Sequence, residues 1–196
     1  DMDEKERKPL LSLFPEGGNL VAGVQNRVAF EAAMTDGEQL EGTLTVGNDT
    51  VNTVNRGRGT FMLIPDKETE REVTFTSTTG RKVTAKLPKP EEEGVAVQVT
   101  QEGDSTIITT NVVGLAPDSL ALTIMHEGML EDYHVLGDSL IKKTGGLTAG
   151  IHQVTVFDTQ GRVWADRLFF VKMQEMAEPT LTVEGMQYKY PPHQKI

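Results

Sequence analysis

The chain has 196 residues, 19 basic and 29 acidic side chains, a formal charge of −10 and no cysteine. These counts exclude a disulfide scaffold, a thiolate metal site, a cysteine nucleophile and a thioester. They also argue against nucleic-acid binding, where affinity comes mainly from cations placed on phosphates. No apolar run approaches the roughly 18 residues that a membrane span needs, and the length allows one large domain or two small ones.

In chain order, residues 1–8 read as a charged leader without the apolar centre of a signal peptide. Residues 19–33 read as a first strand, alternating from Arg27 to Ala32 with Val28 and Phe30 on one face. Asp36-Gly37 makes a turn, and further strands are expected over 40–46, 51–55 and 60–64, separated by Gly47-Asn48-Asp49 and by Arg56-Gly57-Arg58-Gly59. Residues 71–77 and 82–87 flank Thr79-Gly80 as a hairpin. Residues 88–94 hold two prolines, three glutamates and a glycine with no apolar face, and read as a linker. Strands then resume over 95–101, 106–112, 119–126, 130–136, 153–158 and 163–171. The last is apolar on both faces, which predicts a central strand. No stretch longer than about eight residues carries a helical period.

The pattern predicts an all-β protein of two tandem immunoglobulin/fibronectin-like antiparallel β-sandwiches, over residues 9–90 and 91–176. Residues 177–196 read as an extended tail, the start of a further repeat. Residues 1–90 carry 12 basic and 14 acidic side chains, and residues 91–196 carry 7 and 15, so most of the negative charge follows the linker.

Several blocks carry a resemblance. Residues 13–32, with Phe14-Pro15-Glu16-Gly17-Gly18, Leu20-Val21, Gly23, Asn26 and Val28-Ala29-Phe30, resemble the opening of macroglobulin-like domains. Gly57-Arg58-Gly59-Thr60-Phe61 with Pro65, and Lys86-Leu87-Pro88, resemble later parts of the same domain. Phe157-Asp158-Thr159-Gln160-Gly161-Arg162 and Ala165-Asp166-Arg167-Leu168-Phe169-Phe170-Val171 resemble the closing blocks of the domain that follows it. The chain in these blocks resembles the α2-macroglobulin-like large cell-envelope proteins of Bacteroidetes. The resemblance implies a piece of a longer protein in the cell envelope, periplasmic or surface-exposed. The absent cysteine removes the thioester by which active members capture proteases covalently, and Glu31 stands where the family has lysine.

Candidate sites are few. The Phe14–Gly18 block reads as structural, with Phe14 plugging the sandwich and the glycine pair supplying positive φ. Arg56–Gly59 lacks a phosphate-loop lysine and reads as a surface corner. The histidines at 126, 134, 152 and 193 are dispersed; a hairpin at Gly128-Met129 would set His126 against Glu131 and His134 against Thr123. The acidic groups Asp66/Glu68/Glu70, Glu91–Glu93 and Glu131-Asp132 lack calcium-loop spacing, although the glutamate run at the linker leaves inter-domain calcium open. No serine has a nucleophile-elbow context. Trp164, Tyr188 and Tyr190 remain as aromatic contacts for a ligand or partner.

These residues predict no enzyme, no cofactor and no metal. The expected role is a non-catalytic structural and interaction module, with a glycan- or peptide-binding module as the alternative. Expected partners are neighbouring domains of the same longer chain, a protein or glycan ligand, or a second copy joined through the tail as an added edge strand.

Overall fold

Valine, threonine, isoleucine and phenylalanine in period-two alternation bury one side of each strand, and the chain answers with sheets throughout. The computed structural model describes residues 7–66, 68–69, 71–137 and 140–172. Its strands are β1 (Pro9–Pro15), β2 (Asn26–Met34), β3 (Gly42–Val46), β4 (Asp49–Asn52), β5 (Arg58–Leu63), β6 (Glu72–Ser77) and β7 (Lys82–Lys86). After the Glu-rich stretch come β8 (Gly94–Glu102), β9 (Ser105–Val113), β10 (Leu120–His126), β11 (Met129–Val135), β12 (Ile141–Gly145), β13 (Gly150–Asp158) and β14 (Val163–Val171). A 3-10 turn at Pro117–Ser119 precedes β10.

Every ladder between these strands is antiparallel. The sheets run β1-β2-β5 and β4-β3-β6-β7, then β12-β9-β8 and β11-β10-β13-β14. Adding seven to each strand number of the first pair gives the second pair, so one topology is used twice. This is an all-β, immunoglobulin/fibronectin-like architecture.

Each pair of sheets closes on its own hydrophobic cluster. The first holds Leu20, Val28, Phe30, Leu44, Phe61, Val73, Phe75 and Leu87. The second holds Val97, Ile108, Leu120, Leu122, Ile124, Val154, Val156 and Phe169. A buried Phe or Leu contributes about 1.5–3 kcal/mol by leaving water. Phe30 and Phe75 meet across the first core with centroids 6.5 Å apart and planes tilted by 51°. That approach depends on Gly59, where a Cβ would lie 2.6 Å from the Phe30 ring.

The structure departs from the sequence reading at definite points. Residues 19–25 are no strand: they form a loop that buries Leu20 and Val21, and pairing starts at Asn26. β1 lies upstream instead, with Leu11 and Leu13 packed on the first core. Phe14 points out, so it plugs nothing. β12 sits where no strand was expected. The last strand, β14, lies at the edge of its sheet rather than the centre, and Leu168 and Phe170 on its outer side are exposed. The stretch 88–93 is tied to the first cluster side: Glu91 forms a bridge with Val21, donates its N–H to the Leu20 carbonyl and accepts from the Ala22 N–H.

Candidate functional site

The residues that join the two cores come from the loop after β1. Asn26, fully buried at the head of β2, shapes this loop with its side-chain amide. Its Oδ1 accepts the Val21 N–H at 2.9 Å, and its Nδ2 donates to the carbonyls of Val21 and Val24, each at 2.8 Å. Gly17 turns at φ +88°, and a Cβ there would touch the Ala165 Cβ at 3.4 Å and the Val97 N at 3.6 Å. A side chain at this position would therefore be strained and pressed against the second sandwich.

The turn delivers Glu16 into the interface. Its carboxylate pairs with Arg167 of β14 and lies 3.8 Å from the Arg27 guanidinium of β2. Burial pushes the Glu16 carboxyl above its ordinary value, against the two guanidinium groups that pull it down. Burial also lowers the Arg167 guanidinium, against the pull of Glu16. Arg27 in turn donates to the Val99 carbonyl at 3.2 Å, Gln98 donates to the Gln25 carbonyl at 3.0 Å, and the Asp166 N–H reaches the Gly17 carbonyl at 3.3 Å. The groups around Glu16 are thus a polar clamp between two hydrophobic cores.

A second cluster lies at the turn end of β10 and β13. The imidazoles of His126 and His152 stack with centroids 4.4 Å apart, and His152 stacks on Phe169 at 5.3 Å. His152 is 0% exposed. Its Nε2 donates to Glu131 at 2.9 Å, while His126 Nδ1 donates to the Ile151 carbonyl at 3.0 Å. Glu131 is the unpaired residue of a β-bulge, since the register passes from Ile124↔Asp132 to Met125↔Leu130. The bulge turns Glu131 inward to the histidine. Hydrogen bonds from the Thr148 hydroxyl and then from His152 hold the Glu131 carboxyl below its ordinary value. Beside these rings is an open cavity of about 490 Å³ lined by Met125, His126, Gly150, Ile151 and Leu168 among others. The expected pairing of His126 with Glu131 and of His134 with Thr123 is corrected: His126 faces Met129 and Thr123 faces Tyr133.

Trp164 also sits on a bulge, between the pairs Val156↔Ala165 and Phe157↔Val163. Its Nε1 donates to Asp158 at 3.1 Å, and the Arg162 guanidinium lies 3.8 Å over its ring. The indole packs against the second core and lines a small cavity of about 150 Å³ with Asn19, Val21, Glu91 and Glu93. One face is therefore covered by a cation from its own chain. Tyr188, Tyr190, His193 and Glu70 lie outside the described residues. Among the described residues no group of three His, Cys, Asp or Glu side chains is placed to hold a metal ion, the Glu91–Glu93 run included. No helix among them is long and apolar enough to cross a membrane.

Sequence reasoning named Glu131 and His152 but joined neither Glu16 to Arg167 nor Glu131 to His152. Glu16 and Arg167 lie inside two of the blocks that carried the family resemblance, which was the one available signal. Glu131 and His152 are 21 residues apart with nothing in the spacing to join them.

The fold and its clamp define a tandem β-sandwich protein. No protein-family model matches the chain, and no curated protein matches it. Solved structures do. E. coli alpha-2-macroglobulin in its native conformation matches with 12% identity and a TM-score of 0.31, over 84% of this chain and 16% of that one. The central fibronectin-III array of RIM-binding protein matches with 13% identity and a TM-score of 0.32, over 90% and 73%. The fibronectin(III)-like modules of Clostridium thermocellum CbhA match with 11% identity and a TM-score of 0.29, over 83% and 94%. The chain thus spans about a sixth of the first. At these scores the matches add nothing to the architecture that the sheets define by themselves.

Proposed function

We propose that the chain is a non-catalytic structural and interaction module of a larger cell-envelope protein of the macroglobulin-like kind, in which two sandwiches form one stiff unit. The observation that supports this most is the Glu16–Arg27–Arg167 clamp. A carboxylate whose side chain is 8% exposed, bridged to a guanidinium from each sandwich, fixes direction as well as distance. A bare tether would leave the two cores free to turn. The resemblance of residues 13–32 and 154–171 to macroglobulin-like domains supports the envelope setting.

The absence of cysteine makes the test clean. Nitroxide labels on Asn48→Cys and Asp104→Cys, one in a turn of each sandwich, should give a single narrow distance distribution. Glu16→Ala should broaden it. A distribution already broad in the otherwise native chain would overturn the proposal.

A further inference from the structure

The repeated topology supplies an internal control. In the first sandwich the outer side of the four-stranded sheet β4-β3-β6-β7 is polar along every row: Asn52, Thr43, Thr76 and Lys82, then Thr50, Thr45, Thr74 and Thr84, then Glu72 and Lys86. A solvated sandwich face should look like this. The matching sheet β11-β10-β13-β14 does not. Its rows run Val135, Ala121 and Phe157, then Tyr133, Thr123, Thr155 and Asp166, then Leu130, Met125, Gln153 and Leu168, then Ile151 and Phe170. Leu130, Tyr133, Val135, Ile151, Leu168 and Phe170 are each more than half exposed. One topology thus carries a polar outer face in one copy and an apolar one in the other. Exposed apolar side chains gathered on one sheet face, as Ile151, Leu168 and Phe170 are on adjacent rows of β13 and β14, mark a docking surface.

The electrostatics of the face narrow the occupant. Asp166 sits among the apolar side chains. Its carboxylate accepts from Gln153 Nε2 and Thr155 Oγ1, both neutral donors. Residues 91–172 hold 5 basic and 12 acidic side chains, net −7. Two copies packed face to face would bring Asp166 near Asp166 and one acidic sandwich against another, which disfavours a second copy. Residues 185–196 carry the opposite character: Lys189 and Lys195, no acidic residue, and the apolar Met186, Tyr188 and Tyr190 at alternate positions. In an extended strand those three share one side.

Reach favours the same segment. β14 ends at Val171, and Lys172 follows the parity of Leu168 and Phe170, so the chain leaves the sandwich beside this face. The dozen residues from Lys172 to residue 185 extend up to roughly 40 Å. Four strands at ~4.8 Å spacing are only about 14 Å across. We infer that residues 185–190 of the same chain dock on the outer face of β11-β10-β13-β14, with Met186, Tyr188 and Tyr190 on Ile151, Leu168 and Phe170 and a tail lysine toward Asp166.

The full chain tests this with one nitroxide on Gln187→Cys, read by paramagnetic broadening of backbone amide signals. The signals of Ile151, Gln153 and Leu168 should be lost, while those of Thr45 and Thr74 on the polar face persist. Leu168→Asp, a change at an exposed position, should restore the Ile151 and Gln153 signals. Isotope-labelled chain without nitroxide, mixed with spin-labelled chain lacking the isotope, should keep all of its signals. Persistence of the Ile151 and Leu168 signals in the labelled chain would overturn the inference. So would continued loss of the Ile151 and Gln153 signals in Leu168→Asp, since the face would not be the seat. Loss in the mixed sample would overturn it too, because the contact would then run between copies.

Discussion

Glu16 and Glu131 are two glutamates held in opposite ways. Glu16 is raised above 4.5, mainly by burial. A group bound more tightly to its proton in the folded chain stabilises below its unfolded pKa, and that contribution fades as pH rises through the folded value. Glu131 is lowered below 4.5, mainly by the Thr148 hydroxyl and His152. Its contribution is present above the unfolded pKa and fades as pH falls through the folded one. The two neutral isosteres should therefore show opposite slopes. Measured by urea denaturation between pH 3 and pH 7, Glu16→Gln should gain on the native chain as pH rises, and Glu131→Gln should lose ground over the same range. Equal slopes would show that the two sites do not differ as described. The clamp also has an asymmetry typical of buried ions. Removing one partner strands the other, while removing both can be neutral. With Arg167 about one-fifth exposed, Arg167→Ala should cost on the order of 2–3 kcal/mol, and Glu16→Leu with Arg167→Met should recover most of it.

Most elements were legible because alternation is a direct image of burial. β2, with Asn26, Val28, Phe30, Ala32 and Met34 inside and the residues between them outside, is the clear case. β1 was not, because its run Pro9-Leu10-Leu11-Ser12-Leu13-Phe14-Pro15 has a proline at each end and no strict alternation. β12 was not, because Ile141-Lys142-Lys143-Thr144-Gly145 is short and lies at a sheet edge. The two bulges were invisible, since an extra residue leaves no mark in composition, yet they place Glu131 and Trp164. β14 was misassigned for a physical reason: apolar residues on both faces signify burial on both faces, and here one of those faces is open on the sandwich. Sheet spacing gives a sharper test within β3. A Cβ at Gly42 would lie 2.2 Å from the Thr76 carbonyl oxygen and 2.7 Å from the Ser77 Cα, both backbone atoms of β6. Gly42→Ala should cost at least about 2 kcal/mol in urea unfolding. Gly137→Ala, with no atom of the described residues within 4 Å of its Cβ, should stay within about 0.5 kcal/mol of the native chain. A silent Gly42→Ala would mean that β3 and β6 are farther apart than described.

At the scale of the whole molecule, the Glu16 clamp lies between two hydrophobic clusters, and the Val21–Glu91 bridge ties the Glu-rich stretch to the loop after β1. Neither cluster contributes side chains to the other, so each could unfold without opening the other's core. The polar bonds between them are Glu16 with Arg167, Arg27 with the Val99 carbonyl, Gln98 with the Gln25 carbonyl and the Asp166 N–H with the Gly17 carbonyl. These bonds join the loop after β1 and the head of β2 to β8 and β14, and they must break before either sandwich unfolds alone. Cooperative units separate when the free energy joining them falls below the difference in their own stabilities. Scanning calorimetry should therefore show one transition for the native chain and two for Arg167→Ala. Two resolved transitions in the native chain would mean that the clamp orients the sandwiches without coupling their stabilities. A single transition in Arg167→Ala would place the coupling in the Gln98–Gln25 and Asp166–Gly17 bonds instead.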